Sequence, residues 1–243
     1  MIKQTYRNIM PDKIRARISN VRKILRRRNR IYMEYLFGYE RYPYKTYCDK
    51  YKCIFIHIPK NAGTSIITLL NDNKEIEQEH NSYWDYMRSD AIRFGTYEMF
   101  CVVRNPWDRL FSAYKYLSSG GNKGSDQYLT DSMNKQCTDF QDFVMNWISY
   151  DRIYNITVLN PQFIYIYDFQ NEKVVVNNIL RFESLSEEFT TIQSKLGVPG
   201  RLPWVNKSEN YDYQESYTDD MVKVVADFYS FDIQLFNYQF KRK

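Results

Sequence analysis

Histidine, paired cysteines and long apolar runs are scarce in this sequence, and each shortage excludes a class of protein. Among its 243 residues there are only two histidines and four cysteines. No two cysteines form a CxxC pair, which argues against a zinc site of that type. No run approaches the ~18 apolar residues of a membrane span, and no apolar signal core lies at the N-terminus. We therefore expect a cytoplasmic protein with reduced thiols and no bound metal.

Aromatic residues, by contrast, are abundant. The chain contains 23 tyrosines, 15 phenylalanines and 4 tryptophans, and apolar residues make up 44% of it. This length and composition suffice for a sizeable α/β core. Tyrosine rings also suit sugars and amphipathic ligands, because they offer an apolar face beside a hydroxyl. Cys53 and Cys101 fall in short apolar runs, where we expect them to be buried as small hydrophobic residues.

The formal charge of +5 is unevenly distributed along the chain. Residues 1–30 contain eleven Lys or Arg and one acid, Asp12, which gives this basic arm a balance of +10. The other residues contain 23 basic and 28 acidic side chains, a balance of −5. The sequence thus predicts a mildly acidic globular body, residues 31–243, preceded by a basic arm.

Apolar residues within the arm recur at helical spacing, which predicts an amphipathic helix. They are Ile14, Ile18, Val21 and Leu25. Two interpretations are open. Either the helix packs on the body through this stripe, or it lies on an anionic membrane or an acidic polymer. No nucleic-acid-binding module accompanies the charge, so we expect no nucleic acid partner.

Short apolar runs alternate with helical patterns in the body, which predicts an α/β fold with a parallel sheet and right-handed crossovers. The predicted strands are residues 53–58, 99–103, 163–167 and 174–182. The predicted helices are residues 64–70, 106–117, 140–149, 185–196 and 219–229. Residues 31–52 and 118–125 are predicted to be loops.

The stretch "FIHIPKNAGTSIITLL", residues 55–70, is typical of a strand, a tight loop and a helix. We expect Gly63 to allow the turn without a Cβ penalty. The first amides of the helix favour an anion, and Lys60, Thr64 and Ser65 add a charge and two hydroxyls. The alternative is an ordinary strand–helix corner. The pattern differs from the common P-loop, because the lysine precedes the glycine by three residues.

A second strand–helix junction lies in "CVVRNPWDRLFSAY", residues 101–114. Arg104 ends the predicted strand, and Ser112 lies eight residues further on, in the predicted helix. An arginine and a hydroxyl at that separation can bind a second phosphate group.

The two motifs together resemble the sulfotransferase superfamily, specifically the carbohydrate sulfotransferase family that includes heparan-type 2-O-sulfotransferases and bacterial relatives. Further similar segments are "EHNSYWDYM", "LRFESLSEEF" and "LPWVNKSENYDYQESYTDD", so the resemblance extends from about Ile54 to the C-terminus. It implies a single P-loop-like three-layer domain with a central parallel sheet flanked by helices. It also implies the donor 3′-phosphoadenosine 5′-phosphosulfate (PAPS), used without a metal.

The resemblance implies a role for each motif residue. The residues implied to bind the 5′-phosphosulfate are Lys60, Asn61, Ala62, Gly63, Thr64 and Ser65, and Lys60 would also stabilise the leaving oxygen. Arg104 and Ser112 would bind the 3′-phosphate. Lys207 and Ser208, in "NKS", would close over the nucleotide; the alternative for them is a surface turn.

Sulfuryl transfer to an alcohol needs a base, and histidine suits that role near neutral pH. His57 falls within the first predicted strand, where we expect a core or loop-supporting residue. His80, in "EQEHNSYWDY", resembles the catalytic histidine of the family and is the predicted base. Glu183, in "RFESL", is either an alternative base or a structural acid that pairs with Arg181 or with a loop amide.

These observations predict transfer of a sulfuryl group from PAPS to a carbohydrate hydroxyl, on an envelope glycan or its lipid-linked precursor. Two other interpretations are open. A P-loop-like nucleotide kinase is disfavoured by the position of Lys60 and by the lack of a downstream metal-binding acid motif. The second interpretation is a non-catalytic glycan- or nucleotide-binding protein of the same fold. We expect a cytoplasmic location, with the arm allowing contact with the inner membrane face.

Overall fold

Helices and short strands alternate in the computed structural model, which describes residues 42–74, 79–122, 126–203 and 212–242. The strands are β1 (Cys53–Ile56), β2 (Glu98–Val103), β3 (Tyr167–Asp168), β4 (Lys173–Val174) and β5 (Asn178–Arg181). The α-helices are α1 (Thr46–Tyr51), α2 (Gly63–Leu70), α3 (Tyr83–Ser89), α4 (Ala91–Thr96), α5 (Pro106–Ser118), α6 (Gln127–Gln136), α7 (Phe140–Asp142), α8 (Tyr150–Asn155), α9 (Leu185–Leu196), α10 (Asp219–Phe228) and α11 (Ser230–Phe236). The predicted arm, residues 1–30, and the predicted nucleotide-closing residues Lys207 and Ser208 lie outside the described residues.

The described residues form two compact units. The first contains residues 42–103 and 162–203, and the second contains residues 104–161 and 212–242. The single domain predicted over residues 31–243 remains a prediction.

The first unit is built on a parallel sheet in the order β1-β2-β5. Ile54 pairs with Met99, and Cys101 with Ile179. All four residues of β1 are buried, as expected for parallel strands covered on both faces. Helix α1 packs beside β1 and α9 beside β5. The predicted α/β fold with a parallel sheet flanked by helices is therefore confirmed.

The two cysteines predicted to be core residues are indeed buried. Cys53 in β1 and Cys101 in β2 are fully shielded from solvent, and burial raises the pKa of both thiols. They fill space in the sheet as small hydrophobic residues and are free thiols.

Two of the predicted strands are largely wrong. Residues 162–165 form a 3₁₀ helix, and β3 is a two-residue strand paired with β4 in an antiparallel hairpin. Asp168 ends β3 because its carboxylate accepts hydrogen bonds from the backbone N–H groups of Gln170 and Asn171, which is turn chemistry. Only Asn178–Arg181 of the second run joins the parallel sheet.

The second unit is organised around α5. Pro106 occupies its first turn, where the missing N–H costs nothing, and the Asn105 side chain caps it by accepting from the Trp107 N–H. The buried Arg109 guanidinium donates to the carbonyl oxygen of Asn160 at 2.6 Å. Its cation also lies over the Tyr229 ring, 5.5 Å from the ring centre. These contacts fix the start of the helix that follows Arg104.

Several helices depart from their predicted bounds. The helix predicted over residues 140–149 is one turn of α-helix followed by a π-helix, Phe143–Trp147. Residues 31–52 were predicted to be a loop but include α1, and α11 follows α10 directly. Of the helices that the structure describes, none has the length and apolar character required to cross a bilayer.

Candidate active site

The loop between β1 and α2 has an unusual backbone that its sequence only partly predicts. Lys60 and Ala62 adopt left-handed conformations, with φ of 69° and 58°. Such conformations cost a non-glycine residue roughly 1–2 kcal/mol each and concentrate at functional sites. Successive N–H groups in turns of this kind form concave sites for anions.

Gly63 is required for a reason other than the one predicted. It is the first residue of α2 and does not have positive φ. A Cβ at this position would lie 1.8 Å from Cδ2 and 1.9 Å from Nε2 of His57. The glycine is therefore needed because the His57 ring occupies the space of a side chain, while Lys60 and Ala62 make the turn.

The start of α2 suits a negatively charged group. Its N-cap residue, Ala62, has no side-chain acceptor for the first-turn amides, and no acidic residue lies in that turn. Thr64 is half-buried and Ser65 is buried in the same turn. An uncapped helix start with hydroxyls and a lysine beside it is the arrangement that binds phosphate-like anions.

Asn61 attaches this loop to the rest of the first unit. Its buried Nδ2 donates to the carbonyl oxygen of Val102 at 2.7 Å and to Oε1 of Gln162 at 2.8 Å. Val102 lies near the carboxyl end of β2, the central strand. The Asn61 side chain therefore holds the loop at that end of the sheet, and it is the Asn61 backbone that remains as a candidate contact for the donor.

The predicted base, His80, lies against His57 in the same unit. Nδ1 of His80 is 3.0 Å from the backbone carbonyl oxygen of His57, and the two ring centres are 4.3 Å apart. Because a carbonyl only accepts, this hydrogen bond places the proton of the neutral His80 ring on Nδ1 and its lone pair on Nε2. In this tautomer Nε2 is the ring nitrogen that can accept a proton.

Residues on both sides of His80 are held by the segment that begins the described structure. Lys45 forms an ion pair with Glu79 at 3.1 Å, and the Tyr42 hydroxyl donates to Oδ1 of Asn81 at 2.6 Å. These contacts restrict the backbone around His80. Sequence reasoning missed Tyr42 and Lys45, because nothing local to them indicates which segment they meet.

His57 is only 6% exposed, immediately after β1. Burial lowers its pKa well below the usual value of 6.5, and the neighbouring His80 lowers it further. The unfolded chain therefore takes up a proton as the pH falls through about 6.5, whereas the native chain does not.

This difference predicts a pH-dependent stability. We expect the free energy of unfolding to fall by up to about 1.4 kcal/mol per pH unit below about pH 6.5, until the native ring is protonated. His57→Gln should reduce that slope between about pH 6.5 and 5, above the range in which ordinary carboxylates titrate. Urea denaturation of both proteins checks this. Equal slopes would mean that His57 is not kept neutral by the fold.

The predicted 3′-phosphate residues belong to the second unit. Arg104 is 8% exposed, and its Nε and Nη2 donate to the Asp108 carboxylate at 2.7 and 2.8 Å. Ser112 is half-buried in α5. Asp108 orients the guanidinium in a bidentate pair. The spacing of four residues between Arg104 and Asp108 is the sequence signal that could have indicated this partner.

Glu188 is a structural acid after β5 that the sequence did not indicate. One oxygen of Glu188 accepts from the backbone N–H of Arg181 at 2.7 Å, and the other binds the Ser184 hydroxyl. Glu183 is exposed in a 3₁₀ turn. Glu188 thus binds the segment that follows β5, and the role of Glu183 stays a prediction.

Within the described ranges, no group of three or more His, Cys, Asp or Glu side chains is placed to hold a metal ion. The candidate site of the first unit consists of the loop 60–65 together with His57 and His80. Arg104 and Ser112 form the candidate site of the second unit.

Comparison with known proteins identifies the family. A model of the sulfotransferase family matches residues 43–239, which is most of the chain. This chain therefore belongs to the sulfotransferase family, whose members are transferases of sulfuryl groups. An uncharacterized protein of Archaeoglobus fulgidus is 35% identical over 111 residues, which cover 45% of this chain and 75% of that protein. No solved structure gives a significant match.

Proposed function

We propose that this protein transfers a sulfuryl group from PAPS to a carbohydrate hydroxyl, with a P-loop-like anion site at residues 60–65 and His80 as the base. The observation that carries the proposal is the hydrogen bond from Nδ1 of His80 to the His57 carbonyl oxygen. It gives the ring the tautomer that a general base needs. The same His57 lies against Gly63, the first residue of the anion-binding helix.

The residues present fit the 5′-phosphosulfate end of PAPS. The left-handed Lys60 and Ala62 shape the loop, and α2 starts without a capping side chain or an acid. PAPS supplies the sulfuryl group and a phosphate leaving group. The first-turn amides, Thr64 and Ser65 would hold its oxygens, and Lys60 would neutralise the charge that develops on the oxygen bridging phosphorus and sulfur.

His80 would act on the acceptor. Its Nε2 accepts the proton of the attacking hydroxyl while that oxygen bonds to sulfur and the bond from sulfur to the bridging oxygen breaks. The resulting imidazolium keeps its Nδ1–H bonded to the His57 carbonyl oxygen, which stabilises the positive ring in place. No metal is required in this scheme, because positioning and fixed positive groups supply the stabilisation.

The 3′-phosphate of PAPS distinguishes it from ATP. We assign its recognition to Arg104 and Ser112, with Lys207 and Ser208 closing over the nucleotide. The Arg104 guanidinium is oriented by Asp108, and the planar fork of arginine matches phosphate oxygens as well as carboxylate oxygens.

The carbohydrate acceptor is proposed from motifs that resemble those of carbohydrate sulfotransferases and from the 23 tyrosines of the chain. An envelope glycan or its lipid-linked precursor, modified at the cytoplasmic side, is the class we favour. The +10 charge of residues 1–30 supports contact of this arm with an anionic membrane face or an acidic glycan.

Donor selectivity tests the proposal. We expect adenosine 3′,5′-bisphosphate to bind at least about tenfold more tightly than ATP or AMP, a difference of about 1.4 kcal/mol or more, because the site is assigned two separate phosphate-binding regions. Isothermal titration calorimetry with the three nucleotides measures this directly. Equal or tighter binding of ATP would favour the kinase interpretation instead.

A further inference from the structure

The side chain of His57 touches both halves of the candidate site in the first unit. One edge of its ring lies on Gly63, so closely that a Cβ there would be 1.8 Å from Cδ2. The ring centre is also 4.3 Å from that of His80. Gly63 begins the helix assigned to the donor, and His80 is assigned to the acceptor. A single imidazole therefore contacts both.

We propose that His57 is a positioning residue, whose ring sets the spacing between the donor loop and the base while its carbonyl oxygen orients the base. This inference rests on the proposed function and adds a residue to it. His57 contacts neither the donor nor the acceptor in this scheme. It acts through Gly63 and His80, and through a hydrogen bond with the backbone of Glu79, the residue before His80.

The surroundings of the ring make such a spacer rigid. His57 stacks on Phe55 of β1, with ring centres 5.9 Å apart and planes inclined by 20°. It is 6% exposed, so moving the ring away from Gly63 requires rearrangement of the packed interior. The loop next to the ring is also held by Asn61, whose Nδ2 donates to the Val102 carbonyl oxygen. A change at position 57 should therefore be transmitted to His80, whose ring packs against that of His57.

The charge on His57 is consistent with this role. The titratable group that faces it is His80, and burial together with that neighbour keeps the pKa of His57 low. Because His57 is neutral, His80 is the imidazole of the two that is assigned to accept a proton. Two adjacent imidazolium rings would repel each other in this buried position.

The test is a double-mutant cycle of Gly63→Ala, His57→Ala and the combined variant. We measure affinity for adenosine 3′,5′-bisphosphate by calorimetry, kcat for sulfuryl transfer from PAPS to an alkyl glycoside, and the His80 tautomer by nitrogen NMR. The chain has only two histidines, so the variants at position 57 leave one imidazole to observe. His57→Asn, which removes only the outer part of the ring, is the fourth variant and covers the case in which His57→Ala does not fold.

Gly63→Ala should lower bisphosphate affinity by about tenfold or more, because its Cβ and the His57 ring cannot share one volume. The combined variant should recover that affinity, since the ring is gone, whereas a loss from any other effect of the alanine would remain. His57→Ala and the combined variant should both keep kcat about 10- to 100-fold below wild type, with a reduced population of the Nδ1–H tautomer of His80, because misplacement by about 1 Å is enough for such a loss. His57→Asn should likewise lower kcat more than it lowers bisphosphate affinity, and by less than His57→Ala does.

A folded position-57 variant with wild-type kcat and an unchanged His80 tautomer would overturn the positioning role. So would a combined variant that binds the bisphosphate as poorly as Gly63→Ala. Failure of the proposed function has a different signature, because then the wild-type protein itself transfers no sulfuryl group to the glycoside. The affinity cycle and the His80 tautomer still test the inference in that case.

Discussion

His80→Ala is expected to lower sulfuryl-transfer turnover by about 10²–10⁴-fold, the usual contribution of a general base. Donor affinity and melting temperature should stay close to those of the wild-type protein, because His80 is assigned to the acceptor proton and not to PAPS. The measurement is kcat with labelled PAPS, together with calorimetry of adenosine 3′,5′-bisphosphate and thermal unfolding of both proteins.

The matched control for this variant is Glu183→Gln. Glu183 is the alternative base, and it is exposed beyond β5. Removing its charge should leave turnover near that of the wild type. Near-normal turnover in a folded His80→Ala protein, combined with loss of turnover in Glu183→Gln, would assign the base to the glutamate and contradict the proposed mechanism.

Lys60→Ala should have a different effect, lowering both donor affinity and turnover. The ammonium group is assigned to the transferred group and to the bridging oxygen, so it is needed for binding and more so as that oxygen becomes charged. We expect a loss of about tenfold or more in affinity and about 10²–10³-fold in kcat, comparable to removing one stabilising donor from other active sites.

Lys52 provides a closely matched control for Lys60. It lies at the opposite end of β1 and also has a left-handed backbone, with φ of 50° against 69° for Lys60. Replacement by alanine therefore has a similar backbone consequence at both positions. Lys52→Ala should bind and turn over as the wild type does. Equal losses in the two variants would show that Lys60 acts through the fold and not through its charge.

The parts of the fold that the sequence predicts well are those with local signals. Helix α9 begins at Leu185 and ends at Leu196, as predicted, because Gly197 terminates it in a left-handed conformation. Helix α5 begins at the predicted Pro106, with an asparagine cap before it. The two buried strands of the parallel sheet were recognisable as apolar runs followed by such helix starts.

Features that depend on distant neighbours were not predictable in the same way. Gly63 could be recognised as special, but the reason for it is the His57 ring, which only the folded chain brings there. The run 163–167 has the composition of a strand, yet a 3₁₀ helix forms in its place and only two strand residues follow. Local preference for a strand did not prevail there over the turn at Asp168.

In the candidate site, too, the residues of local motifs were predictable and their distant contacts were not. The motif residues in the loop 60–65 could be named from sequence, as could His80. Their supports could not, because Asn61 binds Gln162 across 101 positions of the chain and Tyr42 meets Asn81 across 39. The bidentate pair of Arg104 with Asp108 could have been predicted from sequence, since a spacing of four residues places oppositely charged side chains together at a helix start.

The proposed transfer of a sulfuryl group from PAPS to a carbohydrate hydroxyl can be observed on the product itself. The most direct measurement follows labelled sulfur from PAPS into purified acceptors, an alkyl glycoside and a desulfated heparan polysaccharide, with wild-type protein and the His80→Ala variant in parallel. We expect labelled, alkali-stable sulfate on the sugar with the wild type and a loss of about 10²–10⁴-fold with the variant. Wild-type protein that leaves both acceptors unlabelled while transferring phosphate from ATP to a nucleotide would contradict the proposed function.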